Sequence, residues 1–344
     1  MVLRWRLPSV LSICRLPVII IGLLPCLVFL FLLYGTAKNL AFLSEEKIVP
    51  SLKTDCTTYA WDDVPKDWAQ LIQSRRQTAE QTCVNDHPVR PSAKQQMFNR
   101  SIVTDFMFVD DRHGIIWCEI PKIGCTNWRR VLLALNGNVD KTIYNKIEGG
   151  RVHGPLRPFI PALKGFTDNG IEFRLKNYLK VIFVRHPFER LVSAFKSKLE
   201  GRNEYYSHGV GREIALKFEK EINLGALKTG LGISYDGYAR YIVKKAKNEK
   251  VELDRHWRQY HKLCNPCDVN YDVIGHYSSI EEDANNVLRL VRADEDIQYP
   301  KSRQNTSSSI IWKEYYKNVS ESLLQKLWDV YKVDSEMFGY EREI

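Results

Sequence analysis

The sequence predicts an α/β fold with a central, mainly parallel sheet, preceded by one transmembrane helix and a polar stem. Two observations lead to this prediction. Residues 16–35 (LPVIIIGLLPCLVFLFLLYG) contain no charged side chain. At about 1.5 Å per residue they are long enough to cross the roughly 30 Å hydrocarbon core of a bilayer. From about residue 106 onward, strand-like and helix-like apolar patterns alternate, which is typical of a parallel sheet covered by helices.

The charges around this apolar run set its expected orientation. Arg4, Arg6 and Arg15 precede it and no acidic residue does. The positive-inside rule therefore predicts a cytoplasmic tail at residues 1–15 and a signal anchor at residues 16–37. A cleaved signal peptide is the alternative, because the sequence GTA at the end of the run resembles a cleavage site. The run exceeds the usual length of a signal-peptide core, which favours the uncleaved anchor.

The chain beyond the anchor is expected to be lumenal and to contain two regions. Residues 38–105 are polar and Gln-rich and predict a stem, with a weak helix signal around Trp68 and Ile72. Residues 106–344 are denser in apolar side chains and predict the folded domain.

Within this domain, strands and helices follow one another in order. The strand signals are residues 115–120 (IIWCEI), 180–184 (KVIFV) and 271–274 (YDVI). Helices are predicted after Thr126, after Pro187, from a capping box at residues 278–281 (SSIE), and over residues 320–332.

Composition and charge exclude several classes of protein. The 344 residues are 44% hydrophobic and 26% charged, which excludes a disordered or collagen-like chain. Fifty basic residues against 41 acidic ones give a formal net charge of +9. This excess fits an acidic ligand such as a nucleotide or an anionic glycan. Nucleic acid is not an expected partner in a lumenal compartment.

Six cysteines follow the predicted anchor: Cys56, Cys83, Cys118, Cys125, Cys264 and Cys267. An even number in an oxidising compartment predicts up to three disulfides, whose connectivity the sequence leaves open. Cys264 and Cys267 are expected to be oxidised, to each other or to another lumenal cysteine. A half zinc site and a redox pair are the alternatives for this CNPC segment. Cys125 is the cysteine expected to stay unpaired. Three sequons predict N-glycosylation at Asn99, Asn305 and Asn318.

Two strand–loop–helix units have the pattern of an anion-binding site. In the first, a strand runs through the loop PKIGCTN (residues 121–127) directly into a helix, so loop and first-turn N–H groups point to one place. Lys122 can reach a phosphate or a bridging oxygen. The Walker A pattern GxxxxGK[ST] is absent from the sequence. A tight turn with a solvated lysine is the alternative interpretation.

The second unit is KVIFV-RHP-FERLVSAF. Arg185 follows the strand at the end where open α/β sheets bind ligands, and Pro187 starts the helix. Ser193 lies off the apolar stripe of that helix, so an arginine and a hydroxyl could hold one phosphate. An ordinary surface arginine and a tolerated helix serine are the alternative.

The two motifs PKIGCTNW and RHPFERLVSAF together resemble the 5′-phosphosulfate and 3′-phosphate binding motifs of Golgi carbohydrate sulfotransferases. The most similar group contains the chondroitin and dermatan 4-O-, N-acetylgalactosamine 4-O- and human-natural-killer-epitope sulfotransferases. The resemblance extends through HWRQYHKLCNPCDVNYDVIGHYSSIEEDANNVL to MFGY, and so covers most of residues 106–344. His186 departs from the pattern, since relatives mostly carry Asp or Glu there.

The resemblance implies a P-loop-like sulfotransferase fold and a lumenal enzyme of the Golgi membrane. Its sulfate donor would be 3′-phosphoadenosine-5′-phosphosulfate (PAPS), with no metal required. The acceptor would be a glycan or proteoglycan of the chondroitin, dermatan or N-acetylgalactosamine/glucuronate type. The implied donor-binding residues are Pro121, Lys122, Ile123, Gly124, Cys125, Thr126 and Asn127 in the first motif, and Arg185, His186, Pro187, Phe188, Glu189, Arg190, Leu191, Val192 and Ser193 in the second.

Sulfuryl transfer also needs a group that stabilises the leaving oxygen and a base for the acceptor hydroxyl. Lys122 is assigned the first role. His153, between the two motifs, is the predicted base, with Glu119 and His256 as alternatives. A Golgi glycosyltransferase is the rival enzyme class, because residues 294–296 (DED) match its DxD metal motif. A non-catalytic glycan-binding membrane protein is the remaining alternative.

Overall fold

The computed structural model describes residues 59–86, 100–201, 203–221, 223–248, 250–301 and 307–344. The predicted anchor at residues 16–37, together with Cys56, Asn99 and Asn305, lies outside these residues. Within them, no helix has both the length and the apolar character that a membrane span requires.

A four-stranded mixed sheet forms the centre of the fold. Its strands are β1 (Met107–Asp110), β2 (Ile115–Cys118), β3 (Leu179–Val184) and β4 (Val273–His276), in that spatial order. β2, β3 and β4 are parallel, with Cys118 opposite Ile182 and Val184 opposite His276. β1 is antiparallel to β2 and joins it through a short hairpin. The predicted parallel sheet is therefore confirmed for three strands, and the sequence analysis missed the antiparallel edge strand.

Helices surround this sheet. The first seven are α1 (Lys66–Asp86), α2 (Cys125–Leu135), α3 (Gly149–His153), α4 (Asp168–Asn177), α5 (Pro187–Phe195), α6 (Glu204–Tyr206) and α7 (Arg212–Lys217). The others are α8 (Leu224–Thr229), α9 (Tyr235–Ala246), α10 (Tyr260–Cys264), α11 (Pro266–Val269), α12 (Ile280–Leu290), α13 (Ser307–Tyr316) and α14 (Glu321–Met337). Two π-helical turns, Lys196–Glu200 and Ser207–Gly211, follow α5 and α6.

Each predicted helix is present, but the predicted capping box does not form. Ser279 occupies the N-cap position of α12 without capping it, because its hydroxyl donates instead to Asp283 at 2.7 Å. The last helix extends to Met337, five residues beyond the predicted end at 332. The strand predicted at residues 271–274 is β4 and lies two residues further along, at 273–276. The regular ladder starts only after Asp272, because the N–H of Lys180 donates to the side chain of Asp272 rather than to a backbone oxygen of the neighbouring strand.

Two apolar clusters stabilise the domain. One packs on the sheet around Trp128, which is fully buried between Trp117 and Phe183 with ring centroids 6.0 and 5.0 Å away. The other joins α5, α9 and α14 through residues such as Phe188 and Tyr238. Burial of each large apolar side chain stabilises the fold by about 1.5–3 kcal/mol.

Helix α1 belongs to the same folded unit as the sheet and lies within residues 38–105, the predicted stem. The buried carboxylate of Asp283 connects α1 to β4 and α12. It accepts from Trp68 Nε1 at 2.8 Å and from Arg75 at 2.9 Å, and also from the backbone N–H of His276 at 2.8 Å. Helix α1 has few apolar residues, so its sequence gave little indication that it packs on the domain. A buried salt bridge and a disulfide provide part of the attachment instead.

Two disulfides link distant parts of the chain. Cys83 in α1 bonds to Cys267, and Cys118 at the end of β2 bonds to Cys264. The prediction that Cys264 and Cys267 are oxidised is confirmed, and each pairs with another cysteine rather than with its neighbour. Cys125 is a free thiol, as predicted.

Non-reducing peptide mapping of the protein from secretory-pathway material should recover the pairs Cys83–Cys267 and Cys118–Cys264. Replacing both members of either pair with alanine should lower the free energy of unfolding by about 2–4 kcal/mol, because each bridge closes a long loop. The matched control Cys125→Ala removes a thiol that closes no loop and should change stability much less. Recovery of a Cys264–Cys267 bridge would contradict this connectivity.

Candidate active site

The loops after β2, β3 and β4 meet at one edge of the sheet, because these three strands are parallel. Together with α3 and the segment at residues 253–258 they surround an open cavity of about 610 Å³. Lys122 lines it from the β2 loop, Arg185 from the β3 loop and Tyr277 from the segment after β4. The cavity has room for a nucleotide-sized ligand.

The β2 loop forms a cradle at the start of α2. Lys122 and Gly124 both adopt left-handed backbone conformations, with φ of 77° and 69°. A side chain at Gly124 would collide with the hydroxyl of Tyr299, so only glycine fits. No side chain caps the first turn of α2, which leaves the N–H groups of Cys125 and Thr126 for an anion, whereas that of Asn127 donates to Gly124. A strained lysine beside a glycine at a helix N-terminus is typical of a ligand-binding loop.

Lys122 is a mostly buried cation. Burial is the main cause that lowers the pKa of Lys122 to about 8, and the positive charges of Lys198, Arg185 and Arg190 contribute to this shift. No carboxylate lies within 4.0 Å of Lys122 in the part of the chain that the structure describes. A bound polyanion would therefore favour the charged form of this lysine.

Arg185 is buried, with 2% of its surface exposed. Its Nη1 donates to the backbone oxygen of Lys122 at 3.2 Å, and its Nη2 pairs with Glu189 at 2.5 Å. Its guanidinium lies 4.1 Å from the centre of the Tyr277 ring. The arginine thus connects all three loops at this edge of the sheet while facing the cavity.

Arg190, one turn further along α5, has a structural position below the cavity. Its side chain is 1% exposed and donates to the backbone oxygens of Pro121 at 3.1 Å, Arg258 at 2.7 Å and Arg255 at 2.7 Å. It fixes the β2 loop relative to the segment at 253–258. A guanidinium is suited to this role because it carries five donors in a rigid plane.

His186 replaces the acidic residue of the resembling family and serves as the N-cap of α5. Its Nδ1 accepts from the backbone N–H of Phe188 at 3.2 Å, and its Nε2 lies 2.9 Å from the backbone oxygen of Glu341. A carboxylate could accept the same capping bond, so the substitution preserves the local geometry.

Within the part of the chain that the structure describes, six Lys and Arg side chains but only one carboxylate line the cavity. The carboxylate, Glu119, is buried and pairs with Arg129 through two bonds of 2.8 and 2.5 Å. Both carboxylate oxygens of Glu119 are therefore already engaged. Among the described residues, Arg157, Lys198 and Arg255 have no carboxylate within 4.0 Å.

Two histidines face the same cavity. His153 ends α3, and its Nε2 lies 3.0 Å from the hydroxyl of Thr126. Burial, followed by the positive charge of Arg129, lowers the pKa of His153, so its imidazole is neutral at pH 7. His256 is buried and contacts the carboxylate of Asp254 at 2.7 Å.

The structure divides the residues predicted to bind the donor into two groups. Those lining the cavity are Pro121, Lys122, Gly124, Cys125, Thr126, Arg185 and Ser193. The remaining ones, outside the lining, are Ile123, Asn127, His186, Pro187, Phe188, Glu189, Arg190, Leu191 and Val192. The apolar members of this second group are buried in the core, where they position the first.

Several lining residues were missed by the sequence analysis: Arg129, Gly149, Gly150, Arg157, Lys198, Arg255 and Tyr277. Lys198 lies in the π-helical turn that follows α5, a local irregularity common at functional sites. The sequence carries no strong signal for the others, because they come from separate helices and loops that only the fold brings together.

The carboxylates of the DxD-like triplet are engaged elsewhere. Asp294 and Asp296 both pair with Lys141, at 2.7 and 2.5 Å, and neither lines the cavity. Over the described ranges, no group of three or more His, Cys, Asp or Glu side chains has the arrangement of a metal site.

Comparison with known proteins agrees with the resemblance noted in the sequence. Carbohydrate sulfotransferase 8 of Mus musculus is 34% identical over 278 residues, covering 79% of this chain and 64% of the relative. The human protein of the same name is 34% identical, with 80% and 64% coverage. Carbohydrate sulfotransferase 11 of Danio rerio is 33% identical, with 79% and 76% coverage. The aligned region thus spans 64% of the length of the first two relatives.

No solved structure gives a significant match to the chain. The model of a protein family described as "Sulfotransferase family", however, matches residues 105–341, which include both loops and every strand of the sheet. The chain therefore belongs to the sulfotransferase family.

Proposed function

We propose that this protein transfers a sulfuryl group from PAPS to a hydroxyl of a glycan. The main supporting observation is that Lys122 and Arg185, on loops after two adjacent parallel strands, face one cationic cavity and are joined by a 3.2 Å hydrogen bond. The carbohydrate sulfotransferases to which the chain is similar suggest the glycan acceptor.

The residues present fit the donor at both of its charged ends. The uncapped N-terminus of α2 and the loop at residues 121–127 suit the 5′-phosphosulfate, in the P-loop-like manner that the resemblance implies. Arg185 and Ser193 suit the 3′-phosphate that distinguishes PAPS from ordinary adenine nucleotides. A metal is not part of this proposal, because the cavity supplies cationic side chains of its own.

The reaction is an in-line displacement at sulfur. The acceptor oxygen forms a new bond to sulfur while the bond to the bridging oxygen of the nucleotide breaks, and negative charge grows on that bridging oxygen. Lys122, which has no carboxylate partner in the described structure, is placed to stabilise this charge. The acceptor hydroxyl must lose its proton, and His153 is the base predicted from the sequence.

The acceptor is proposed to be anionic, as chondroitin, dermatan and glucuronate-containing glycans are. Arg157, Lys198 and Arg255 line the cavity without a carboxylate partner among the described side chains. Positively charged side chains that lie close together without acidic partners repel one another. A carboxylate or sulfate of the ligand would reduce this repulsion.

The proposal places the enzyme in the Golgi membrane, with a signal anchor at residues 16–37 and a lumenal domain. Two disulfides and an exposed Asn318 between α13 and α14 support an oxidising, glycosylating compartment. Carbonate extraction of membranes and glycosidase digestion of the expressed protein test this placement.

Substitutions at the two key cations should separate binding from chemistry. Lys122→Ala should mainly lower kcat, because Lys122 interacts most strongly with charge that develops in the transition state. Arg185→Ala should mainly raise KM for the donor, by about 10–150-fold, which corresponds to about 1.5–3 kcal/mol of lost charged hydrogen bonding. Steady-state sulfate transfer on the full chain measures both.

Binding of two nucleotides provides the control for Arg185, whose removal also affects packing. Arg185→Ala and the milder Ser193→Ala should weaken binding of adenosine 3′,5′-bisphosphate and leave binding of adenosine 5′-monophosphate unchanged. Equal losses for the two nucleotides would show a general packing defect. Unchanged kcat for Lys122→Ala would contradict the role given to this lysine.

The lowered pKa of Lys122 predicts the alkaline limit of activity. Because the charged form is required, kcat/KM for the donor should fall as the pH rises through about 8, where Lys122 loses its proton in the free protein. Lys122→Arg keeps its charge at all these pH values. This variant should therefore be less active at pH 7, and its activity should no longer decline at alkaline pH. An unchanged alkaline decline would show that a group other than Lys122 causes it.

The charge of the acceptor can be tested with a panel of desulfated chondroitin, desulfated dermatan and neutral N-acetylgalactosamine-terminated glycans. The anionic polymers should be preferred, and Arg157→Gln and Arg255→Gln should each raise their KM roughly 3–30-fold through loss of a charged contact. Lys228→Gln, on exposed α8, is the matched control. Equal rates on neutral acceptors would contradict an anionic substrate.

A further inference from the structure

The histidine at position 256 has the surroundings of an acid–base group. It is 5% exposed, and its ring Nδ1 lies 2.7 Å from Asp254 Oδ1 and 2.9 Å from the hydroxyl of Tyr206. That hydroxyl donates in turn to the other carboxylate oxygen, Oδ2, at 3.1 Å. Asp254 also accepts from the backbone N–H of His256 at 2.9 Å. The ring is therefore held at Nδ1 by two contacts, one to Asp254 and one to Tyr206.

These contacts fix the tautomer of the imidazole. A carboxylate beside Nδ1 favours the proton on that nitrogen, which leaves the lone pair on Nε2. His256 lines the cavity that also contains Lys122, and within the described chain its Nε2 makes no hydrogen bond. A proton acceptor oriented by a carboxylate and open to a reaction cavity is the arrangement expected of a general base.

The charge state of His256 is compatible with this role. Burial lowers the pKa of His256 to about 4; Asp254 opposes the shift, whereas Lys198 and Arg255 add to it. Tyr206 is the other titratable group in contact with the ring, and burial and Asp254 raise the pKa of its phenol, so it stays protonated. The imidazole is therefore neutral at pH 6–8 and able to accept a proton.

Arg190 also fixes the position of the segment that carries Asp254 and His256. Arg190, which binds the β2 loop through Pro121, donates to the backbone oxygens of Arg255 and Arg258 on either side of His256. The same side chain thus sets the relative position of Lys122 and His256. His153, in comparison, contacts Thr126 of the β2 loop and has no carboxylate on its ring within the described structure.

We propose that His256 is the general base of the reaction and that Asp254 and Tyr206 are its positioning residues. This inference rests on the proposed sulfuryl transfer. In the step, the acceptor oxygen bonds to sulfur and its proton moves to His256 Nε2. The electron pair of the broken sulfur–oxygen bond stays on the bridging oxygen beside Lys122. The proton then leaves to solvent with the departing products. His153 would act on the donor loop through Thr126.

The test uses full-length protein, PAPS and desulfated chondroitin, with binding of adenosine 3′,5′-bisphosphate as the measure of an intact donor site. His256→Asn and His256→Ala should lower kcat by about 10²–10⁴-fold, the usual contribution of a general base, while nucleotide affinity stays within threefold. Asp254→Asn should lower kcat with equally little effect on nucleotide affinity, because an amide can stabilise the wrong tautomer.

Chemical rescue separates a base from a structural histidine. Imidazole added to His256→Ala should restore part of kcat, and the restored rate should follow the neutral fraction of imidazole as the pH rises. His261, which pairs with Asp334 at 2.6 Å outside the cavity, provides the matched control. His261→Ala should keep near-normal kcat and show no rescue. His153→Ala should also show no rescue.

The outcomes distinguish this proposal from the broader one. Normal kcat in His256→Asn, or imidazole rescue of His153→Ala instead, would overturn the assignment of the base while leaving sulfuryl transfer intact. A wild-type chain that transfers no sulfuryl group to chondroitin, dermatan or N-acetylgalactosamine-terminated acceptors would overturn both.

Discussion

The arrangement of the cavity depends on hydrogen bonds from two buried guanidinium groups to backbone oxygens. Arg185 binds the oxygen of Lys122, and Arg190 binds those of Pro121, Arg255 and Arg258. Parallel pairing of β2 with β3 brings the loops to one edge, but it does not fix their conformation. The two arginines do so, and loss of either would remove these charged hydrogen bonds, which contribute about 1.5–3 kcal/mol each.

Because these cationic side chains are fixed by the fold, the cavity is positively charged in the absence of a ligand. Among the described residues that line the cavity, Glu119 is the only acidic one, and its carboxylate is already shared with Arg129; Glu189, outside the lining, pairs with Arg185. The cost appears at Lys122, whose pKa is lowered by burial and by neighbouring cations. The left-handed backbone of Lys122 belongs to the loop conformation that places this side chain in the cavity lining.

The sequence was informative where local chemistry determines structure and silent where it does not. The strands around Trp117 and Phe183, the loop at Gly124 and the free thiol of Cys125 could all be predicted from short patterns. The edge strand β1 and the packing of α1 could not, because they depend on partners far away in the chain.

The candidate site shows the same division between local and distant information. Lys122, Arg185 and Ser193 follow from two motifs, and all three line the cavity. Arg157, Lys198 and Arg255 lie in unrelated segments, so their convergence is a property of the fold alone. The disulfide partners of Cys264 and Cys267 were open for the same reason, since bridges that span 146 and 184 residues have no local signature.

The long spans of the two disulfides also affect the biosynthesis of the protein. During vectorial synthesis Cys83 and Cys118 emerge long before their partners, and β4, which completes the sheet, emerges after the helical segment that follows β3. The fold thus has many non-local contacts, and the nascent chain must keep two early thiols reduced, or reversibly paired, until residues 264–267 have been made.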